Sequence, residues 1–190
     1  MAAYNNQKYI DHYLNIKDVY PSVFSLKMFL GNNPNLDLRD KDFSDKKILD
    51  IGFGDGRDLI LFSRLGFQAY GVEIDEDVVN HTSSKFSSIN NIKLSIGYND
   101  KTGFEPNTFD YVYSVAALMY LRNESLNVHD ILNHSYDILK EGGMFMGTFA
   151  RYDSHVVKDS TKVDNHRIIL KDPYYNFREG QLYHIYFSKN

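Results

Sequence analysis

The sequence predicts an α/β protein with a doubly wound, mostly parallel sheet and helices on both faces. Three observations predict it. Between residues 47 and 149, short apolar runs rich in β-branched and aromatic residues alternate with stretches of helical period, as in βαβ units. The first run ends in the turn Gly52-Phe53-Gly54-Asp55-Gly56, at the carboxyl end of a strand and before a helix. The chain has 190 residues, 43% of them hydrophobic and 24% charged, enough for one domain with its own core.

Taken in order, residues 1–20 are polar and tyrosine-rich. Pro21 to Leu30 reads as a short helix with proline in its first turn and Gly31 just past its end. Asn32 to Ser44 is a loop. Lys47 to Ile51 is the first strand, and Arg57 to Leu65 the helix after the glycine turn, stopped by Gly66. Phe67 to Ile74 is the second strand and Glu76 to Phe86 the second helix. Ile92 to Ile96 and Phe109 to Val115 are the third and fourth strands. Asn123 then caps a helix whose apolar positions Leu126, Ile131, Leu132, Tyr136 and Leu139 recur at three- and four-residue steps. Met144 to Phe149 is the fifth strand. The last forty residues hold one clear strand candidate, Leu182 to Phe187, so the C-terminal part of the sheet is expected to be incomplete.

Composition excludes several classes. Without cysteine there is no disulfide framework, thiolate nucleophile or cysteine-ligated metal. The seven histidines lack metal-ligand spacing, so no metal site is expected. A net charge of −4 without a basic block argues against a nucleic-acid partner, and most of the fifteen tyrosines read as packing residues with a polar tip. No apolar run reaches membrane-spanning length, and the first residues lack a signal-peptide layout. The expectation is a cytoplasmic protein.

The informative stretch is Asp50 to Asp58. Glycines after a first strand let the chain turn sharply and let a ligand lie against the backbone. A dinucleotide fingerprint, G-x-G-x-x-G, needs its third glycine where Arg57 stands; here glycine falls one place earlier, at Gly56. Asp50, Asp55 and Asp58 make poor surroundings for a pyrophosphate and good ones for a ligand carrying an ammonium. Spacing and charge agree.

Asp50-x-Gly52-x-Gly54-x-Gly56 resembles the first motif of class I S-adenosylmethionine-dependent methyltransferases. Tyr70-Gly71-Val72-Glu73-Ile74-Asp75 resembles the second, Phe109 to Ser114 the fourth-strand motif, and Leu139-Lys140-Glu141-Gly142-Gly143 the motif before strand five. The likeness spans residues 20–150 and implies a Rossmann-like sheet with S-adenosyl-L-methionine as cofactor. It implies that Gly52 and Gly54 back the methionine part, with Asp50 near the ammonium. Glu73 would accept both ribose hydroxyls, and Ile74 would pack on the adenine. Phe53, Asp58, Asp75, Ser114 and Val115 complete the expected cofactor contacts. The loop from Gly97 to Lys101 departs from the family pattern, and either Asn99 or Asp100 takes the adenine amino group. Gly56-Arg57-Asp58 is similar to small-molecule branches such as the tellurite-resistance methyltransferases, where Arg57 would offer its fork to the cofactor carboxylate. Tyr20-Pro21-Ser22 resembles a helix that closes over the cofactor.

The expected organisation is a single domain over 1–190, with a helical cap (1–45), a cofactor-binding core (46–150) and a substrate lid with the last strand (151–190). The expected reaction is in-line methyl transfer to a small polar acceptor. Alternatives are a non-catalytic S-adenosylmethionine-binding module and an NAD-dependent oxidoreductase. The catalytic residue is open: Tyr13, Tyr20, Tyr120, His12 and His155 are the general-base candidates. Substrate residues are expected from Tyr4 to Tyr20, Ala116 to Arg122 and Arg151 to Arg178. An uncovered last strand would favour a homodimer.

Overall fold

Five strands make the central sheet of the computed structural model, which describes residues 6–16, 19–31 and 42–186. They are β1 (Lys47–Ile51), β2 (Gln68–Glu73), β3 (Ile92–Ile96), β4 (Phe109–Ser114) and β5 (Leu139–Gly147). Their order is β3-β2-β1-β4-β5, with each neighbouring pair parallel. The order reverses between β1 and β4, which opens a crevice at their carboxyl ends.

Strand alternation sends side chains to two buried faces. Ile48, Tyr111, Tyr113 and Met146 join Phe29 of α2 (Val23–Phe29), Phe62 of α3 (Arg57–Arg64) and Val78 of α4 (Glu76–Lys85). Leu49, Ile51, Val72 and Val112 join Ile138 on the opposite face, where α5 (Val128–Asp137) sets Ile131 against Phe145. Between β3 and β4 the described chain has no helix; Phe104 fills that place, edge-on to Phe109 at 4.9 Å and to Tyr70 at 5.7 Å.

Several elements differ from the sequence expectation. A helix, α1 (Asn6–Leu14), forms where only polar composition was legible. Ser22 caps α2, its side chain accepting from the Ser25 amide at 3.0 Å, so Pro21 lies before the cap and not in the first turn. Asn127, not Asn123, caps α5. The reason is local: Asp130 stands three residues after Asn127 and bonds back to its amide at 2.9 Å, closing a capping box. Asn123 has Leu126 at that place and closes a turn through the Ser125 and Leu126 amides. β5 begins at Leu139, and its register shifts around Gly142.

After β5 the chain builds a separate three-stranded antiparallel sheet: β6 (Thr161–Lys162), β7 (Arg167–Ile169) and β8 (Leu182–His184). The expected last strand is therefore β8, and it pairs with β7 and the segment after β4, not with β5. The Leu121 amide donates to Leu182 O at 3.0 Å, and the His184 amide to Met119 O at 2.8 Å. Among the described residues β5 is the final strand of the parallel sheet. Most of the loop expected at Asn32 to Ser44, together with Tyr4 and Phe187, lies outside the described residues.

Candidate cofactor site

A cavity of about 810 Å³ opens at the carboxyl ends of β1, β2 and β4. Of the expected site residues it is lined by Gly52, Glu73, Ile74, Asp75, Asn99 and Val115. Glu73 ends β2 and is only 2% exposed. Its two oxygens are fixed by backbone donors, Oε2 by the Gly54 amide at 3.1 Å and Oε1 by the Ile74 amide at 2.8 Å, with a further hydrogen bond from Tyr9. Burial raises its pKa above the ordinary value, against the lowering effect of those bonds. Ile74 leaves an apolar side chain exposed beside it. Asp75 caps α4, accepting from the Asp77 and Val78 amides.

Asn99 ties two loops together: its Nδ2 donates to Tyr120 O at 2.8 Å and to Ala117 O at 3.2 Å. The group it leaves for the cavity is its acceptor oxygen. Ala116, in the segment held this way, has φ 59°, a strained value for a residue with a Cβ.

Other expected contacts stand elsewhere. Phe53 is packed in the core with Leu59 and Phe86. Arg57 does not offer its fork to the cavity, because its Nε and Nη2 bond to Asp55. Asp58 anchors α2 on α3: it accepts from the Ser22 amide (2.7 Å), Ser25 Oγ (2.6 Å) and the Tyr113 hydroxyl (2.9 Å). Asp100 is not among the lining residues; it is spent in a two-pronged pair with Arg122, Nη2 at 2.7 Å. Ser114 is fully buried and donates to Ile51 O. Tyr20, 76% exposed, closes over nothing. Among the general-base candidates, His155 contacts Tyr174 and Tyr175 outside the cavity.

The helix that lies over the glycine turn is α1. A Cβ on Gly54, whose φ is +55°, would meet the Tyr13 ring at 2.5 Å, so that ring lies directly on the glycine. Tyr9 packs edge-on to Tyr13 at 4.8 Å, and His12 stacks on Phe177 at 4.1 Å. The missed signal was the pair Tyr9 and Tyr13, four residues apart and therefore on one helical face. Burial pushes the Tyr13 hydroxyl up to about 12 and raises Tyr120 further, so both act as donors near neutral pH. Burial lowers His12.

Behind the glycine turn Asp50 is 4% exposed. Burial, then Asp58, Glu73 and Asp55, push its pKa well above its ordinary value. Four carboxylates thus surround the turn, and Arg57 is committed to one of them. Among the described residues no cluster has metal-ligand geometry, and no helix is long and apolar enough to cross a membrane.

A parallel sheet of this order with an acidic residue closing β2 defines a Rossmann-like domain that takes a ribose-bearing cofactor, and the family match narrows it to a methyltransferase domain. The chain belongs to that family: residues 48–143, just over half of it, match the model of a methyltransferase domain. This replaces the nicotinamide reading and implies S-adenosylmethionine as cofactor. The chain is similar in structure to PH0226 from Pyrococcus horikoshii OT3, with TM-score 0.57 and 21% identity over 86% of this chain and 81% of that one. It is also similar to YcgJ from Bacillus subtilis, with TM-score 0.51 and 23% identity, covering 58% of this chain and 47% of that one. The chain thus spans about half the length of YcgJ. A search of curated proteins finds no match.

Proposed function

We propose that this chain binds S-adenosylmethionine and transfers its methyl group to a small polar acceptor by in-line displacement. The observation that carries the reading is the acidic surround of the glycine turn at the head of the cavity, with Asp50 uncompensated and Glu73 held ready by the Gly54 and Ile74 amides. The residues present fit the group. Glu73 has acceptor capacity left for a ribose diol, exposed Ile74 suits an adenine face, and the free oxygen of Asn99 suits its amino group. Asp50 attracts an ammonium. At Gly52 a Cβ would meet the Ala117 Cβ at 2.4 Å, so glycine is what lets the segment after β4 approach the turn.

When bound, the sulfonium supplies an electrophilic methyl. The protein's task is to orient and to exclude water, a contribution of roughly 7–11 kcal/mol to lowering the barrier. Glu73 and Asn99 hold the nucleoside, and α1 covers the turn through Tyr9 and Tyr13. The raised hydroxyls of Tyr13 and Tyr120 position by donating and do not take a proton near pH 7.

Isothermal titration with S-adenosylmethionine and S-adenosylhomocysteine tests the reading; absence of binding at millimolar ligand ends it. Binding without S-adenosylhomocysteine production in the presence of cell extract would leave a binding module.

A further inference from the structure

The loop between β7 and β8 contributes a side chain that the cofactor reading does not use. Arg178 lines the main cavity and also a smaller adjoining recess of about 180 Å³, so it stands on the wall between them. Its guanidinium lies over the Phe177 ring at 4.2 Å, with Tyr175 at 5.7 Å. Stacking on one face fixes the plane of the group and leaves the donors at its edges. Among the described residues those donors make no ion pair and no hydrogen bond. Asp172, the carboxylate that acts on the charge of Arg178, is fully buried and accepts from its backbone amide at 3.1 Å, not from its side chain. Burial opposes the charge of Arg178, but the Asp172 carboxylate favours it, and its pKa stays raised. A guanidinium held flat on an aromatic ring, partly buried and lining a cavity with its donors unspent suits a planar anion.

We propose that Arg178 anchors a carboxylate on the methyl acceptor, which makes the substrate class a small carboxylic acid; this rests on the methyltransferase reading above. The position separates this site from the cofactor's. Tyr120, which follows β4, and Tyr183 of β8 line the recess with Arg178, whereas Glu73 and Ile74 line only the β2 side of the main cavity. The recess has room for a short chain and little more. The acids around the glycine turn, together with Asp172 and the cavity-lining Glu124, make a single negative charge better tolerated here than a dianion. Tyr120 and Tyr183 are both held protonated by burial, so both hydroxyls can donate beside the same anion.

The test uses the full chain with sodium acetate as probe, titrated by NMR at constant ionic strength, with acetamide as the uncharged match. Acetate should bind saturably and acetamide should not. Arg178→Gln should weaken acetate at least tenfold and Arg178→Lys several-fold, the lysine keeping the charge without the fork. S-adenosylhomocysteine affinity should stay within twofold in both variants. An equal response to acetamide, or unchanged acetate binding in Arg178→Gln, overturns the proposal. A tenfold loss of S-adenosylhomocysteine affinity in Arg178→Gln also overturns it, because the fork would then serve the cofactor's own carboxylate. If thermal unfolding shows that Arg178→Gln does not fold, the wild-type comparison and Arg178→Lys decide. Acetate binding that depends on Arg178 in a chain with no affinity for S-adenosylhomocysteine would refute the methyltransferase reading and keep the anion site.

Discussion

Replacing Glu73 with glutamine changes one atom in the centre of the proposed nucleoside site. Both carboxylate oxygens are already engaged by backbone amides, at 3.1 Å from Gly54 and 2.8 Å from Ile74. Glutamine turns one of those acceptors into a donor that faces an N–H, so one hydrogen bond worth about 1 kcal/mol is lost. Relief from burying a charge offsets part of that loss, and the melting temperature should move by only a few degrees. Ligand binding should suffer more. A hydrogen bond to a charged acceptor contributes about 1.5–3 kcal/mol, and the loss of one hydroxyl contact predicts affinity roughly ten- to a hundredfold weaker. The assay is calorimetric titration of wild type and Glu73→Gln with S-adenosylhomocysteine and its 2′-deoxy analogue. Wild type should discriminate between the two ligands, and the variant should discriminate much less. A folded Glu73→Gln protein with affinity within twofold of wild type, or equal losses for both ligands, would refute the assignment of this carboxylate to the diol.

Three further outcomes follow from the same region. Asp50 must be ionised to attract an ammonium, and its folded pKa is raised, so affinity should climb as pH rises through the acidic range; Asp50→Asn should flatten that profile in titrations between pH 5 and 8. With a raised folded pKa the ionised form penalises folding above the ordinary carboxylate pKa, so Asp50→Asn should also raise the ligand-free melting temperature near pH 7, and less near pH 4. Tyr113→Phe removes the hydroxyl that contacts Ser22 Oγ at 3.0 Å and Asp58 at 2.9 Å, and denaturant unfolding should report a loss of about 1–3 kcal/mol. Gly54→Ala places a methyl against the Tyr13 ring and strains a φ of +55°, which costs about 1–2 kcal/mol for the backbone alone; adding Tyr13→Ala should relieve the clash but not the strain, as thermal melts of the single and double variants would show.

The local code of the chain was sufficient for the existence of five parallel strands, for α3 and α4, and for the places of the glycine turn and of Glu73 at the ends of β1 and β2, while the start of β5 was read five residues late. Each depends on periodicity or on neighbours within a few residues, and those interactions survive in a linear reading. The cap of α5 was equally local, set by the acid that stands three residues after Asn127 and is missing after Asn123. Contacts across the fold did not survive that reading and were decided only in three dimensions. Tyr13 covers Gly54, forty-one positions away; Asp58 is spent on Ser22 and Tyr113, and Arg178 arrives at the cavity from a loop without local signal. A residue's type states what it can bind, but its available partner depends on which donors packing brings within about 3 Å, and no spacing along the chain encodes that distance.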